Sequence, residues 1–464
     1  SMHNIFRSLR TITDVNWEDW LESVSLIEEE LRVSPGYSAL DFGTRNLYRS
    51  AIERLARGSG QEEIDVARAV IARAATAPDE LGQDVGYWLT DDGLALFEHS
   101  LGYRPALTER IARALPRSGL AGYAGVLTLV IGALALVLWP VAVLSAGTGV
   151  GWLILLGLLA LSPASDLALR LVNRRVTSVT RTSLLPGLAL RDGVPDGLRT
   201  LVVVPTMLAS PASVAELIDT LEVHFHANDD GEIYFAAATD WVDSSTEHRE
   251  DDDDLLELAR TGVHQLNARH GDRFFVFHRS RRYNPSEGVW MGWERKRGKL
   301  EELNQLLRGA NDTSYSTVEG LEPGPFRFVI TLDSDTVLPR AAARRLIAKL
   351  AHPLNRAAFD KRTGRVVRGY AILQPRVTPS LPPQEDTSFF QKVYSTLQGV
   401  DPYAFTVSDV YQDLFREGSF AGKGIYDIDA LEAATRGRIP ENAVLSHDLL
   451  EGNYARAGLV TDVE

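Results

Sequence analysis

Apolar positions along the chain follow three different patterns. Up to about residue 118 they recur three and four apart, as in "NWEDWLESVSLIEEELR", "RNLYRSAIERLARG" and "EEIDVARAVIARAA". That spacing predicts amphipathic helices. Gly58 and Gly60 punctuate the chain before the third stretch. Residues 1–118 therefore read as a small helical region, and nothing in it points to catalysis.

Residues 119–172 carry the second pattern. "GLAGYAGVLTLVIGALALVLWPVAVLSA" and "GVGWLILLGLLALSPASDLALRLV" are each long enough to cross a hydrocarbon core of about 30 Å. No charge occurs from Ala121 to Ala146, and Trp139 and Trp152 lie near the intervening "AGTG" turn, where interfacial aromatics are expected. Arg110, Arg113 and Arg117 precede the pair, and Arg170, Arg174, Arg175 and Arg181 follow it. Basic flanks face the cytoplasm. The prediction is a transmembrane helical hairpin with both neighbouring regions cytoplasmic, followed by a linker or interfacial segment over 173–197.

From about 198 to 464 strands and helices alternate. "LRTLVVVPTM" is a buried-type strand, and "SPASVAELIDTLEVHFH" is an amphipathic helix capped at Ser210. "EIYFAAATD", "RFFVFHRS" and "FRFVITLDSD" continue the strands; "DDLLELARTGVHQLNAR" and "RGKLEELNQLLRGA" continue the helices. The expected fold class is α/β, a mostly parallel sheet flanked by helices. Ligands of such sheets bind beyond the carboxyl ends of the strands, where Asp240, Asp333 and Asp335 fall.

Composition narrows the function. The 464 residues exceed one ordinary domain, and a formal net charge of -14 argues against a nucleic-acid partner. The chain has no cysteine, which excludes disulfides and thiolate metal sites. The acidic run from Glu247 to Asp254 reads as a solvated loop. The opening Ser-Met-His reads as a cloning scar and not as a targeting signal, and the end at "GLVTDVE" as a cut through a longer protein.

Asp333 and Asp335, one residue apart at the end of a buried-type strand, repel each other and lose hydration. A metal ion, a basic partner or water on an exposed turn would each compensate them. Asp251 with Asp253 and Asp427 with Asp429 repeat the spacing, but only the first pair directly follows a buried-type strand in the alternating region. A hard cation, Mg²⁺ or Mn²⁺, would suit the oxygen ligands and carry a diphosphate. "WERKRGKLEELN" gathers Arg295, Lys296, Arg297 and Lys299 around a glycine at a helix start, which suits phosphate. In "ENAVLSHDLLEG", Asp448 beside His447 is a candidate general base.

Taken together, "VVVPT", "KRGKLEELN", "ITLDSDT", "QPRV", "SFAGKGIYDIDAL" and "ENAVLSHDLLEG" occur in the order seen in processive glycosyltransferases of the glycosyltransferase-A fold. In detail they resemble glycosyltransferase family 84, the synthase domain of cyclic β-1,2-glucan synthases. "GYSALDFGTRNLYRSAIERLA" and the hairpin resemble the regions preceding that domain. The resemblance covers almost the whole chain.

It implies inverting transfer of glucose from UDP-glucose to the 2-hydroxyl of a growing, protein-linked β-1,2-glucan at a bacterial-type inner membrane, in a multi-pass protein with further domains. By the resemblance, Thr206 and Asp240 hold the uridine and Lys299 lies near the nucleotide. Asp333 and Asp335 bind Mg²⁺ or Mn²⁺, with Asp333 also at the donor, and Asp448 is the base. Gln374, Arg376 and the "FAGKG" segment with Gly422 and Lys423 line the acceptor side. Tyr403, in the turn-like "VDPYAF", is the expected self-glucosylated primer. The Gln-x-x-Arg-Trp motif of such synthases is absent, which predicts a fragment that binds nucleotide and turns over poorly. The alternatives are a cellulose- or hyaluronan-like synthase, a polyprenyl-phosphate glycosyltransferase, or a non-catalytic nucleotide-sugar sensor.

Overall fold

The computed structural model describes residues 16–106, 109–110, 113, 119–145, 150–179, 184–320, 324–377, 410–444 and 447–463. They form two compact units.

The helical unit runs through Ala106 and is completed by Leu185–Pro195 and Ile347–Arg356. Its helices start where the sequence supplies caps. The Asn16 side chain accepts from the backbone of Glu18 and Asp19 ahead of helix Trp17–Val24, and Asp41 caps Phe42–Ser59 through the Thr44 amide. The spacing read as helical puts Tyr48, Ile52, Leu55, Val66 and Val70 into one apolar core. Glu28 is buried within that unit, held by Arg45, Arg49 and the Tyr37 hydroxyl. The segment 185–195 locks in through Gly187, whose amide donates to Thr44 Oγ1 at 2.7 Å. Lys349 Nζ and Asn355 Nδ2 donate to the carbonyls of Leu185 and Pro186. The stretch 173–197, expected as a linker, thus divides: helix Val150–Val179 takes its first residues, and 185–195 packs into the helical unit.

The second unit contains the apolar hairpin, helices Gly119–Ser145 and Val150–Val179. Both have stretches long and apolar enough to cross a membrane. Their large side chains point outward: Leu129, Leu136 and Trp152 are all at least 60% exposed. A soluble protein would hide them; a bilayer would cover them. At the flank end, the Tyr123 hydroxyl donates to Asn173 Oδ1 at 2.6 Å. There Val172 and Val176 pack with Val410 and Leu414 of the short helix Val410–Phe415.

The same unit contains a mixed sheet of β1 (Thr200–Leu208), β2 (Ile233–Trp241), β3 (Phe274–Arg279), β6 (Tyr315–Glu319), β7 (Phe328–Thr331), β10 (Ile372–Pro375), β11 (Gly424–Asp427) and β12 (Ala457–Val460). Two small hairpins, β4–β5 (Arg282–Asn284 and Val289–Met291) and β8–β9 (Ala358–Phe359 and Val366–Arg368), stand apart from it. The strand order is β12-β10-β11-β7-β1-β2-β3-β6. Pairs β1–β2, β1–β7, β2–β3 and β10–β12 are parallel; β6 and β11 run antiparallel to their neighbours. The mostly parallel α/β architecture is the one the alternation predicts. Leu201–Val204, Ala236–Ala238 and Phe274–Phe277 are almost wholly buried, as a strand covered on both faces requires. Helix Pro211–Asn228 starts at the predicted Ser210 cap, with Ser210 and Ser213 forming a capping box.

Candidate active site

The carboxyl ends of β1, β2 and β7 gather the polar residues that the sequence singles out. Register brings the first two together: Thr206 pairs with Thr239, and Met207 with Asp240. Lys299 reaches this point from helix Arg295–Leu307. Its Nζ donates to the Thr206 carbonyl at 2.6 Å and lies 3.1 Å from Asp240 Oδ2. Thr206, Asp240 and Lys299, expected to meet a nucleotide, therefore form one cluster.

Asp240 has a second partner that the sequence reading did not identify. Arg279, at the end of β3, donates to Asp240 Oδ1 at 2.7 Å and to Oδ2 at 2.9 Å. It also donates to Glu302 Oε2 and to the carbonyls of Trp293 and Arg295. Arg279 is fully buried. Burial alone would push the Asp240 carboxyl up, but Lys299 and Arg279 more than offset it and hold it below the usual carboxylate range. The loop entering the helix is tightly wound. Glu294 and Arg295 both have positive φ, of 50° and 48°, a conformation costing on the order of 1 kcal/mol or more per residue.

Lys296 turns toward Asp333. Its Nζ holds Asp333 Oδ1 and donates to the Gly422 carbonyl at 2.8 Å, while Lys423 Nζ lies 3.1 Å from Asp333 Oδ2. Burial raises the Asp333 carboxyl, and these two lysines outweigh it, leaving the group below its ordinary value. Of the three possible compensations, a basic partner is thus present for Asp333. Asp335 is exposed, with Thr336 Oγ1 3.4 Å from its Oδ1. Two carboxylates at a strand end, one of them open to solvent, offer the hard oxygen donors that Mg²⁺ or Mn²⁺ prefers. The residues present fit such an ion.

Asp448 begins helix Asp448–Ala455 and faces Gly422 across the site. A Cβ on Gly422 would lie 2.9 Å from Asp448 Oδ1, and its φ is +76°, so the position excludes other residues twice over. Burial pushes the Asp448 carboxyl up, and the negative charges of Glu451 and Asp333 add to it; His447 and Lys296 oppose. His447 Nδ1 lies 3.2 Å from Glu451 and 3.6 Å from Asp448, so the His–Asp neighbours in sequence make no hydrogen bond. Beside Asp448 is a cavity of about 60 Å³ that Gly422, Phe420, Thr331, Glu301 and Glu451 help to line. Thr331 Oγ1, also on its wall, is buried with no hydrogen-bond partner among the described residues, and water in the cavity would satisfy it.

Gln374 supports this wall: its Oε1 accepts from the Ala421 amide. Arg376 continues beyond β10, its backbone amide donating to the Val463 carbonyl at 2.9 Å. Tyr403 lies outside the described residues, as do Arg117 and Arg181. Arg279, Glu302 and Glu451 are the residues that sequence reasoning missed. Arginine at the end of a buried strand was the one available signal, and "FHRSRRY" offered several equivalent candidates.

No protein-family model matches the chain. Along its whole length the chain is 48% identical, over 476 aligned positions, to the cyclic β-(1,2)-glucan synthase NdvB of Rhizobium meliloti (strain 1021). It spans 17% of that protein's length. Among solved structures, the mannosyltransferase PcManGT of Pyrobaculum calidifontis, determined with GDP-Man and Mn²⁺, aligns at 15% identity. That alignment covers 59% of this chain and 58% of the other, with a TM-score of 0.28.

Proposed function

We propose that this chain, related along its whole length to one segment of a cyclic β-(1,2)-glucan synthase, is the glucosyl-transferring segment of such an enzyme. The reaction is inverting transfer from UDP-glucose to the 2-hydroxyl of a growing β-1,2-glucan. The single observation that carries this reading is the 48% identity over the full chain. The convergence of Asp448, Gly422, Asp333, Lys296 and Lys423 supports it.

Asp448 acts as the general base, taking the proton of the acceptor hydroxyl as that oxygen attacks the anomeric carbon. Asp333 and Asp335 hold Mg²⁺ or Mn²⁺, which when bound supplies Lewis-acid stabilisation of the departing diphosphate. Lys296 and Lys423 keep positive charge at the same point. Thr206, Asp240 and Lys299 form the floor against which the uridine is held, with Asp240 fixed by Arg279. Gln374 and Arg376, with the Gly422–Lys423 segment, border the acceptor, and Tyr403 supplies the first acceptor hydroxyl. The apolar hairpin anchors the chain in the membrane, and its basic flanks favour a cytoplasmic catalytic unit. The chain works beside the further domains of a longer polypeptide.

The test is to reconstitute the full-length parent polypeptide in lipid, supply labelled UDP-glucose with Mg²⁺ or Mn²⁺, and determine the linkage of the product. Label in a 1,2-linked glucan, or on a Tyr403 peptide, supports the reading. Donor binding without any hexose transfer would reduce the chain to a nucleotide-sugar sensor, and a 1,4- or 1,3-linked product would reassign it to another synthase.

A further inference from the structure

A cluster of metal-ligating side chains lies on the other side of the sheet's length from the candidate active site. Glu222 and His226 stand one turn apart on helix Pro211–Asn228 and so share a face. His270 is the last residue of the neighbouring helix, Asp252–His270. Each of the three offers one donor atom, and those atoms all lie within 4.8 Å of one another. His270 Nε2 is 2.7 Å from Glu222 Oε1. The His226 and His270 rings stand nearly perpendicular, 5.1 Å apart. Phe225 contacts both rings and is itself packed on Phe235 and Phe274, so the core steadies the imidazoles from behind.

Topology adds an electrostatic reason. Both helices end at this point, where unsatisfied carbonyls give each about half a negative charge. The ends gather next to the starts of β2 and β3, whereas Asp240 leaves the carboxyl end of β2. A cation here is therefore separate from one held by Asp333 and Asp335.

We propose that Glu222, His226 and His270 bind a zinc-class divalent transition metal, with water completing the coordination. Two imidazole nitrogens and one carboxylate oxygen suit Zn²⁺, and not Mg²⁺ or Ca²⁺, which prefer oxygen alone. Tetrahedral zinc bonds of about 2.0–2.2 Å set donors roughly 3.4 Å apart, so His270 and Glu222, at 2.7 Å, open slightly and the third donor closes by roughly 1 Å. His226, the exposed member, can make that movement. Arg269 is the competitor: its guanidinium lies 2.7 Å from the same Glu222 oxygen, and it is half-exposed, so it can turn into solvent when metal arrives. The bound ion would tie together the last turns of two helices.

The test uses the whole protein in detergent, stripped with a chelator that is then removed. Titration with Co²⁺ should give one equivalent of visible absorption from a low-coordinate site, displaced by Zn²⁺, and Zn²⁺ should raise the thermal midpoint. His226→Ala, at an exposed position, and His270→Gln should each weaken Zn²⁺ binding by at least tenfold and abolish the absorption. Asp335→Ala should leave both signals intact. Absence of the absorption and of any Zn²⁺ shift in the wild type would overturn the proposal, as would full retention of both in the two histidine variants.

Discussion

Lys423 Nζ lies 3.1 Å from Asp333 Oδ2, and Lys296 occupies the other oxygen of the same carboxylate. The ligand that a divalent cation would use is thus already neutralised by two lysines. Metal must compete with them. Lys423→Ala is expected to tighten Mn²⁺ binding to the nucleotide-free protein by roughly two- to fivefold, because a partly exposed pair is worth at most about 1 kcal/mol. The same variant should bind UDP more weakly. Calorimetry of Mn²⁺ and then UDP checks both, and unchanged Mn²⁺ affinity would mean that the lysine does not compete.

Gly422 and Asp448 form a second dependent pair. Gly422→Ala places a methyl group against the Asp448 carboxylate and forces alanine into the left-handed region, a backbone cost of roughly 1–2 kcal/mol. Stability should fall by about that amount. Transfer should fall by about a hundredfold or more, since a misplaced base loses most of its contribution, while UDP affinity stays close to wild type. Retained turnover would remove Asp448 from the chemistry.

The pH dependence follows from the same carboxylate. As the proposed base, Asp448 must be ionised to take a proton, and burial, followed by Glu451 and Asp333, raises its protonation range above that of an ordinary aspartate. Activity should therefore be lost as pH falls through a limb lying above the usual value of about 3.9. Glu451→Gln removes one of the like charges, so the limb should move to lower pH. Asp448→Asn should abolish transfer without abolishing UDP binding. A pH profile of kcat/KM for the wild type and Glu451→Gln decides it; a limb that moves upward contradicts the charge argument.

The parallel core was legible because "LVVV", "FAAA" and "FFVF" are uninterrupted apolar runs, each followed by an amphipathic helix. β10, β11 and β12, four residues each, are too short to show a period. Their order is also invisible in sequence, since β11 inserts antiparallel between β7 and β10. That insertion is what carries Gly422 and Lys423 to Asp333. Spacing flagged Asp333 and Asp448 individually, but the contact of Lys296 with Asp333 joins residues 37 apart in the chain and exists only in the fold. Arg279 was hidden for a different reason. Every residue of β3 is buried, so alternation could not tell that the arginine at its end turns inward.

Arg279 should be the most costly single residue to remove from this unit. It is fully buried and bridges Asp240 and Glu302. Arg279→Leu leaves Asp240 to Lys299 and Glu302 to the half-exposed Arg282, each short of its buried cation, and breaking a buried network in this way costs about 3–5 kcal/mol. Arg279→Lys keeps the charge but cannot span both acids with one ammonium, so it should recover only part of the loss. The cause can be separated from lost packing. Glu302→Gln added to Arg279→Leu removes one stranded charge and should restore roughly 1 kcal/mol or more, although Glu302 also accepts from the Ser314 amide. Denaturant unfolding of the single and double variants measures the difference. A double variant less stable than the single one would mean that Arg279 acts through its packing and its carbonyl contacts, and that Asp240 is held by Lys299 alone.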